Sequence, residues 1–161
     1  MKEIKLTQGK VAIIDDVDYA ELSKYKWYAR LEGKVYYAQR GVKKSNGKRT
    51  IQRMHRFLMN PSVGIGVDHI DGNGLNNQRS NLRLCNQSEN CRNQRAVRGG
   101  SSKYKGVDWF KLLNKWRAKI YVNHKSVHLG VFASEEDAAS AYNNTAVKYF
   151  GEFAKPNEVA A

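Results

Sequence analysis

Asp68 and His69 head a polar stretch, VDHIDGNGLNNQRSNLRLCNQSEN, that runs over residues 67–90 and holds six asparagines. Each residue type supplies a distinct piece of hydrolytic chemistry. A carboxylate such as Asp68 is a hard oxygen ligand for a divalent cation. An imidazole such as His69 titrates near neutrality and can take a proton from water. Asn90 carries an amide oxygen that a helix can bring back toward the strand holding Asp68. Cleaving a phosphodiester calls for a base for water, a cation for the charge on phosphorus, and stabilisation of the leaving oxygen. A local cluster of acids and amides inside a basic chain suits a metal ion set between carboxylate and phosphate. Adjacent residues of a regular strand point to opposite faces. Asp68 and His69 therefore serve one site where the strand twists or ends, and the loop from Asp71 supplies such an end.

The elements around these residues read as strand, long loop, strand, helix. Residues 67–70 form the first strand, 71–80 a polar loop with two glycines, 82–85 the second strand, and 87 to about 96 the helix. Asn86 and Glu89 stand at the N-cap and third helical positions, a capping signature. Asn73, Asn76 and Asn77 read as loop formers and Asp71 as a turn residue. Arg83 and Arg92 read as phosphate anchors or solvated charges and receive no chemistry.

Upstream, residues 1–53 read as short strands over 4–6, 11–14, 27–30, 35–40 and 50–53, with turns at Gln8-Gly9-Lys10, at Glu32-Gly33-Lys34 and in the basic run KKSNGKR. Asp18-x-x-Glu21 resembles a capping box for a short helix. MHRFLM, residues 54–59, reads as another short helix, stopped by Asn60-Pro61. Its His55 reads as a packed or capping residue. Downstream, Gly99-Gly100-Ser101-Ser102 is a linker. Three alternating strands follow in KYKGVDWF, KWRAKIYV and KSVHLGVF, then a helix capped at Ser134 and Asp137. On that helix Ala138, Ala141, Tyr142, Thr145, Ala146 and Tyr149 share a face suited to lie against a sheet. In KWRAKIYV, alternation sends Trp116, Ala118 and Ile120 to that helix. Arg117, Lys119 and Tyr121 then go to the opposite face.

The bulk numbers narrow the partner. Lysine and arginine outnumber aspartate and glutamate by 28 to 15, a net charge of +13. By segment the charge is +8 over residues 1–60, +2 over 61–98 and +3 over 99–161. A polyanion is the first expectation, although charge alone also suits a ribosomal protein or an anionic membrane surface. The basic region 1–53 reads either as a scaffold with a solvated face or as a sheet along DNA phosphates. An apolar fraction of 41% and three tryptophans suffice for packed cores. Cys85 and Cys91 form no CxxC pair and read as two small buried thiols in a reducing compartment, without zinc. No apolar run reaches membrane-spanning length, and MKEIKLTQGK lacks the apolar segment of a signal peptide. A soluble cytoplasmic chain is expected.

Asp-His, an asparagine twelve residues after the histidine (Asn81), Asn-Leu-Arg opening the second strand, and an asparagine nine further on (Asn90) resemble the HNH nuclease motif. The branch resembled is that of phage homing endonucleases, in which asparagine replaces the final histidine. MHRFLM and LTQGKVAIIDDVDY…KWYA look like the same branch, so the resemblance spans roughly residues 4–95. It implies a ββα fold around one divalent metal ion, magnesium or manganese. His69 would be the general base and Asp68 and Asn90 the metal ligands. Asn81 would be structural, pinning the long loop through hydrogen bonds to backbone.

SSKYKGVDW, KWRAKI, LGVF and EEDAASAYNNTAVKYFGEFAKPN resemble, over residues 101–157, the plant ethylene-response-factor (Apetala-two type) DNA-binding domain. In that family the strand face reads DNA through arginines and tryptophans, which implies Lys105, Arg117, Lys119 and Tyr121 as DNA-facing. Asp108, Tyr121 and His128 stand where arginine, arginine and tryptophan are common, so the family's target sequence does not carry over.

These readings predict an α+β chain: a small N-terminal sheet with a ββα-metal core, then a three-stranded antiparallel sheet packed on one helix. The expected domains are residues 1–98 (a basic sheet region over 1–53 and the nuclease core over 54–98), a linker at 99–102, and a DNA-binding domain over 103–157. The function expected is a site-specific, metal-dependent endonuclease of the homing type. It would act on double-stranded DNA away from membranes, in a bacterial or phage-infected cell at the nucleoid. With one catalytic motif per chain, a monomer nicks one strand, and a double-strand break needs dimerisation or a second event. The competing reading is a DNA-binding regulator with an inactive nuclease module. An RNA-binding or ribosomal protein is the third, and no aromatic RNA-binding signature supports it.

Overall fold

Strand β1 (Lys2–Lys5) and strand β2 (Val11–Ile14) pair antiparallel, from Lys2 opposite Ile14 to Lys5 opposite Val11. Ala12 and Ile14 of β2 start a core that also takes Ile4, Leu22, Trp27, Ala38, Met54, Leu58 and Leu82. Helix α1 (Asp16–Leu22) follows. The capping box predicted at Asp18 and Glu21 does not form, because the helix begins earlier and Asp18 lies buried within it. Asp15, at the N-cap, makes no side-chain cap bond. Its carboxylate is committed elsewhere, accepting from the Arg79 amide at 2.8 Å and Gln78 Nε2 at 3.3 Å.

The structure is a computed structural model that describes residues 1–93 and 100–159. The chain divides into two compact units, Met1–Asn90 and Cys91–Ala161. In the first, strands β3 (Tyr28–Glu32), β4 (Val35–Lys43) and β5 (Arg49–Arg53) form an antiparallel sheet in that order. Helix α2 (Met54–Met59) ends where Asn60 adopts a left-handed conformation, φ 41°, just before Pro61. Strands β6 (Gly66–His69) and β7 (Leu82–Cys85) make a separate antiparallel hairpin. Helix α3 (Gln87–Arg92) begins with a reciprocal capping box. The Glu89 amide donates to Asn86 Oδ1 at 2.9 Å, and the Asn86 amide donates to Glu89 Oε2 at 2.7 Å. Residues 94–96 of the predicted helix, and Gly99 of the predicted linker, lie outside the described residues.

The second unit is a sheet of β8 (Val107–Phe110), β9 (Lys115–Val122) and β10 (Lys125–Phe132), antiparallel with β9 in the centre. Helix α4 (Glu135–Phe150) is capped by Ser134, whose hydroxyl accepts from the Asp137 amide at 3.0 Å. Three acids occupy its first turn, where the helix dipole favours them. The buried stripe is Ala138, Ala139, Tyr142, Ala146 and Phe150. Tyr149, expected on that stripe, is half exposed. Spacing by fours carries the stripe from Tyr142 through Ala146 to Phe150, which packs with Ile120. Small residues let the helix come very close: a Cβ on Gly106, φ +77°, would lie 2.1 Å from a ring carbon of Tyr142.

The molecule is thus an α+β chain, as the pattern of its sequence predicts. Of the two thiols expected to be buried, Cys85 is, and Cys91 is exposed, on a helix that buries none of its residues. Among the described residues, no helix is long and apolar enough to cross a membrane.

Candidate active site

The β6–β7 hairpin sets Asp68 directly opposite Arg83. Arg83 donates to Asp68 Oδ2 from Nη2 at 2.7 Å and from Nε at 3.0 Å. Both side chains are more than 90% buried, at 9% and 8% exposure. Two charges so far from water hold each other in place, since removing either leaves an uncompensated ion. Sequence reasoning gave Arg83 no chemistry. The strand register could have found it, because pairing 66–69 with 82–85 antiparallel brings these two positions together.

Strand alternation puts Gly66, Asp68, Arg83 and Cys85 on one face of the hairpin. Gly66 and Cys85 line a cavity of about 290 Å³ together with Arg56, Asn86 and Asn90. Burial, with the charges of Asp68 and Glu89 adding, pushes the Cys85 thiol up. The hairpin face carries the Asp68 carboxylate, while Asn90 of α3 lines the cavity. Hard oxygen donors of this kind fit magnesium or manganese rather than a soft metal. Asp68 does not line the cavity with Asn90, so the fit of such an ion to these two residues rests on the chemistry of their donors alone, and among the described residues no cluster of three or more His, Cys, Asp or Glu side chains is placed to hold one.

His69 is the last residue of β6 and leaves the hairpin on the other side. Its ring centre lies 4.9 Å from that of His55 on α2, edge-on at 87°, and 5.8 Å from that of Tyr37 on β4. Tyr37 and His55 are themselves 5.7 Å apart. Three elements thus converge on one imidazole. Burial lowers the pKa of His69, against the opposing influence of Asn77, Asp71 and Asp68. His55 is pushed down to about 3 by burial, with His69, Arg53 and Arg56 contributing. Both histidines are consequently neutral at physiological pH, the state in which an imidazole can accept a proton. The structure thus separates the immediate neighbours of Asp68 and His69: the first meets Arg83, the second two aromatic rings. His55 is packed, as the sequence suggests, at 3% exposure; that it packs on His69 depends on where α2 lands, which no local signal marks.

The loop between the strands is sewn at both ends. Asn81 Oδ1 accepts from the Asp71 amide at 3.1 Å, while its Nδ2 donates to Asp71 Oδ1 at 3.0 Å and to the Asn76 carbonyl at 2.9 Å. Burial works against ionisation of Asp71. The Asn73 amide and the side chains of Asn76 and Asn81 outweigh it and hold the carboxyl below its ordinary range. The loop also borrows from the N-terminal elements. Ile13 of β2 exchanges backbone hydrogen bonds with Leu75 and Asn77 at 2.9 and 2.7 Å. Asp18 accepts from Arg79 Nη2 at 2.8 Å and Nε at 2.9 Å. Gly74 packs so closely that a Cβ there would meet the Tyr36 carbonyl at 2.5 Å and the Tyr37 ring at 2.6 Å.

In the second unit, Arg117, Lys119 and Tyr121 occupy alternate positions of β9. Arg117 lies opposite Asp108 of β8. It donates to the two oxygens of Asp108 from Nη2 at 2.6 Å and from Nε at 3.4 Å. Lys119 reaches the same carboxylate at 3.2 Å. Partial burial raises the Asp108 carboxyl pKa, but hydrogen bonds from Arg117 and Lys119 prevail and hold it below the ordinary carboxylate range. Tyr121 is 70% exposed. Lys105 precedes β8, off the strand face, and its half-buried ammonium donates to the Arg92 carbonyl.

Comparison with known proteins adds a family-level finding. The family model described as HNH endonuclease matches residues 61–92. A protein of Acanthamoeba polyphaga mimivirus, described as an uncharacterized HNH endonuclease, is 36% identical over 158 residues, covering 94% of this chain and 77% of its own length. Protein 3.8 of Escherichia phage T7 is 39% identical over 62 residues, covering 38% of this chain and 51% of its own. An AP2-like ethylene-responsive transcription factor of Arabidopsis thaliana is 37% identical over 60 residues, 37% of this chain and 12% of its own. No solved structure matches.

Proposed function

The chain belongs to the HNH endonuclease family, and from that premise we propose that it is a site-specific, metal-dependent DNA endonuclease of the homing type that nicks one strand. The nuclease would occupy residues 1–98 and a sheet-type DNA reader resembling the ethylene-response-factor domain residues 103–157, joined by the linker at 99–102. The observation that carries the catalytic reading is His69: a buried imidazole set against two rings at the end of β6, inside the segment that the family model matches.

His69 takes a proton from water, and the water oxygen attacks phosphorus in line with the 3′ oxygen. That oxygen leaves and is protonated by solvent, so the products carry a 5′ phosphate and a 3′ hydroxyl. A divalent ion held by Asp68 and Asn90 would, when bound, supply Lewis-acid stabilisation of the charge developing on the phosphate and the leaving oxygen. Arg83 orients the Asp68 carboxylate. Asn81 holds the loop whose register fixes the end of β6. In the C-terminal sheet Arg117, Lys119 and Tyr121 face double-stranded DNA, and Lys105 joins them on release from Arg92. Tethering the two modules raises the effective concentration of one at the target of the other. The chain acts as a monomer.

The test is incubation with a supercoiled plasmid library in magnesium, in manganese and in EDTA, with wild type and Asp68→Asn. Open-circle product that needs the metal, is lost in the variant and carries a 5′ phosphate supports this reading. Binding of DNA without cutting under any condition would assign the chain to the regulators.

A further inference from the structure

Gln39 lies on β4, the central strand of its sheet, opposite Tyr28 of β3 and Arg53 of β5. It is 1% exposed, and among the described residues nothing donates to its side-chain oxygen or accepts from its side-chain nitrogen. A buried amide without partners destabilises a fold, and an apolar side chain of similar size would fill the same place without that cost. The residue lines a cavity of about 480 Å³ together with Glu32, Ile51, Arg53, Arg56 and Pro61. That size suits a small organic ligand. Arg56 also lines the cavity of Asn90, so the two cavities meet at one arginine. We infer that the larger cavity binds a single adenine nucleotide, with Gln39 reading the edge of the base and Arg56 meeting its phosphate. The inference deepens the proposed nuclease function, and DNA as the source of the nucleotide rests on that reading.

Three features favour an unstacked adenine. Depth comes first. A side chain as buried as Gln39 cannot reach into the groove of an intact duplex, so the base must come to it, as it does in enzymes that take a base out of the stack. The amide itself comes second. One donor beside one acceptor complements the N6 amino group and N7 of adenine. Adenine repeats that pair on its Watson–Crick edge, at N6 and N1, so either edge can enter. Charge comes third. Glu32 and Arg53 pair with each other, and Arg56 gives Nη1 to the Ile65 carbonyl at 2.9 Å. The remaining donors of Arg56 serve one phosphate, whereas an anion at Gln39 would meet the amide oxygen and Glu32. Ile51, 53% exposed, and Pro61 offer apolar surface to the faces of the ring.

The experiment is titration of the full chain in EDTA, so that nothing is cut, read on the side-chain amide signal of Gln39 by heteronuclear NMR. The probes are the deoxynucleoside 5′-monophosphates, inorganic phosphate, and a short single-stranded oligothymidylate with and without one central adenine. Deoxyadenosine monophosphate should move the signal at roughly 5- to 150-fold lower concentration than the other nucleotides, the range that one bidentate pair commands. Gln39→Met should abolish that preference without lowering the melting temperature. Arg56→Gln should weaken every nucleotide alike and leave the preference. Displacement of the mononucleotide by the adenine-bearing strand alone makes DNA the source. Displacement by neither strand makes a free nucleotide the source, and the site stands in both cases. If the nucleotides and inorganic phosphate act alike, or if Gln39→Met binds adenine as wild type does, the cavity reads no base and the inference is wrong. A lower melting temperature in Gln39→Met would mean that the amide is paired within the fold, and a Gln39 signal that neither nucleotide nor strand moves would mean that the cavity is no nucleotide site; each overturns the inference. Because binding is read without metal, a chain that binds adenine and cuts no plasmid would lose the nuclease reading and keep the site.

Discussion

Each unit of the molecule contains an arginine and an aspartate paired across an antiparallel hairpin, Arg83 with Asp68 and Arg117 with Asp108. The hydrogen-bond pattern is nearly the same: Nη2 and Nε both donate to one carboxylate. Their surroundings differ. The first pair is sealed, at 9% and 8% exposure, and the second is open, at 30% and 25%. A sealed pair is an all-or-nothing element, because its desolvation cost is offset only while both members stay. An open pair contributes little to stability and can trade one partner for another. The same two residue types thus form a buried ion pair in the first unit and a partly exposed one in the second.

Stability measurements separate the two most widely. Arg83→Ala should cost about 3–5 kcal/mol in urea unfolding, because it leaves Asp68 buried without its counter-ion. A loss below about 1 kcal/mol would mean that water reaches Asp68 and the contrast fails. The next effect concerns pH and belongs to the sealed region alone. A histidine kept neutral in the fold is protonated in the unfolded chain below pH 6.5. Stability is therefore lost as pH falls through 6.5, by up to about 1.4 kcal/mol per pH unit for each such histidine. For His55 the loss continues until the folded form titrates, at about 3. His55→Phe keeps an aromatic ring against His69 and should flatten the acid slope by about that amount, with the decline from His69 remaining. An unchanged slope would show that His55 is protonated in the fold. The smallest effect belongs to the open pair. Asp108→Ala should change stability by less than about 1 kcal/mol, and a larger loss would make that pair a structural element like its buried counterpart.

Much of the fold is legible in the sequence because its signals are local. Ser134 and Asp137 announce α4, Asn86 and Glu89 announce α3, and Asn60-Pro61 ends α2. The spans predicted for β2 and β7 agree with those observed. Local signals also mislead when a side chain has a distant use. The spacing of Asp18 and Glu21 imitates a capping box, yet Asp18 serves Arg79, 61 residues away. Ala138, Tyr142 and Ala146 of the predicted α4 face are buried, while the stripe also takes Ala139 and ends on Phe150 in place of Tyr149, since the sheet it packs on decides which neighbours are covered.

For the candidate site, residue types and spacing point to Asp68, His69, Asn81 and Asn90, and the chain supplies their surroundings. What spacing does not convey is what stands behind each of them. His55 approaches His69 because α2 and β6 meet in space, and Tyr37 joins because Gly74 lets the loop press on its ring. Those contacts join residues far apart in the chain, and no local pattern encodes them.

The most direct test of the catalytic centre is the rate of plasmid nicking by wild type and His69→Ala. Both proteins would first be matched for melting temperature and for the salt dependence of DNA binding. Loss of a general base should slow cutting by about 100- to 10,000-fold while binding is unchanged. Cutting by His69→Ala at the wild-type rate would place the base elsewhere and contradict the assignment of β6 and its loop as the centre.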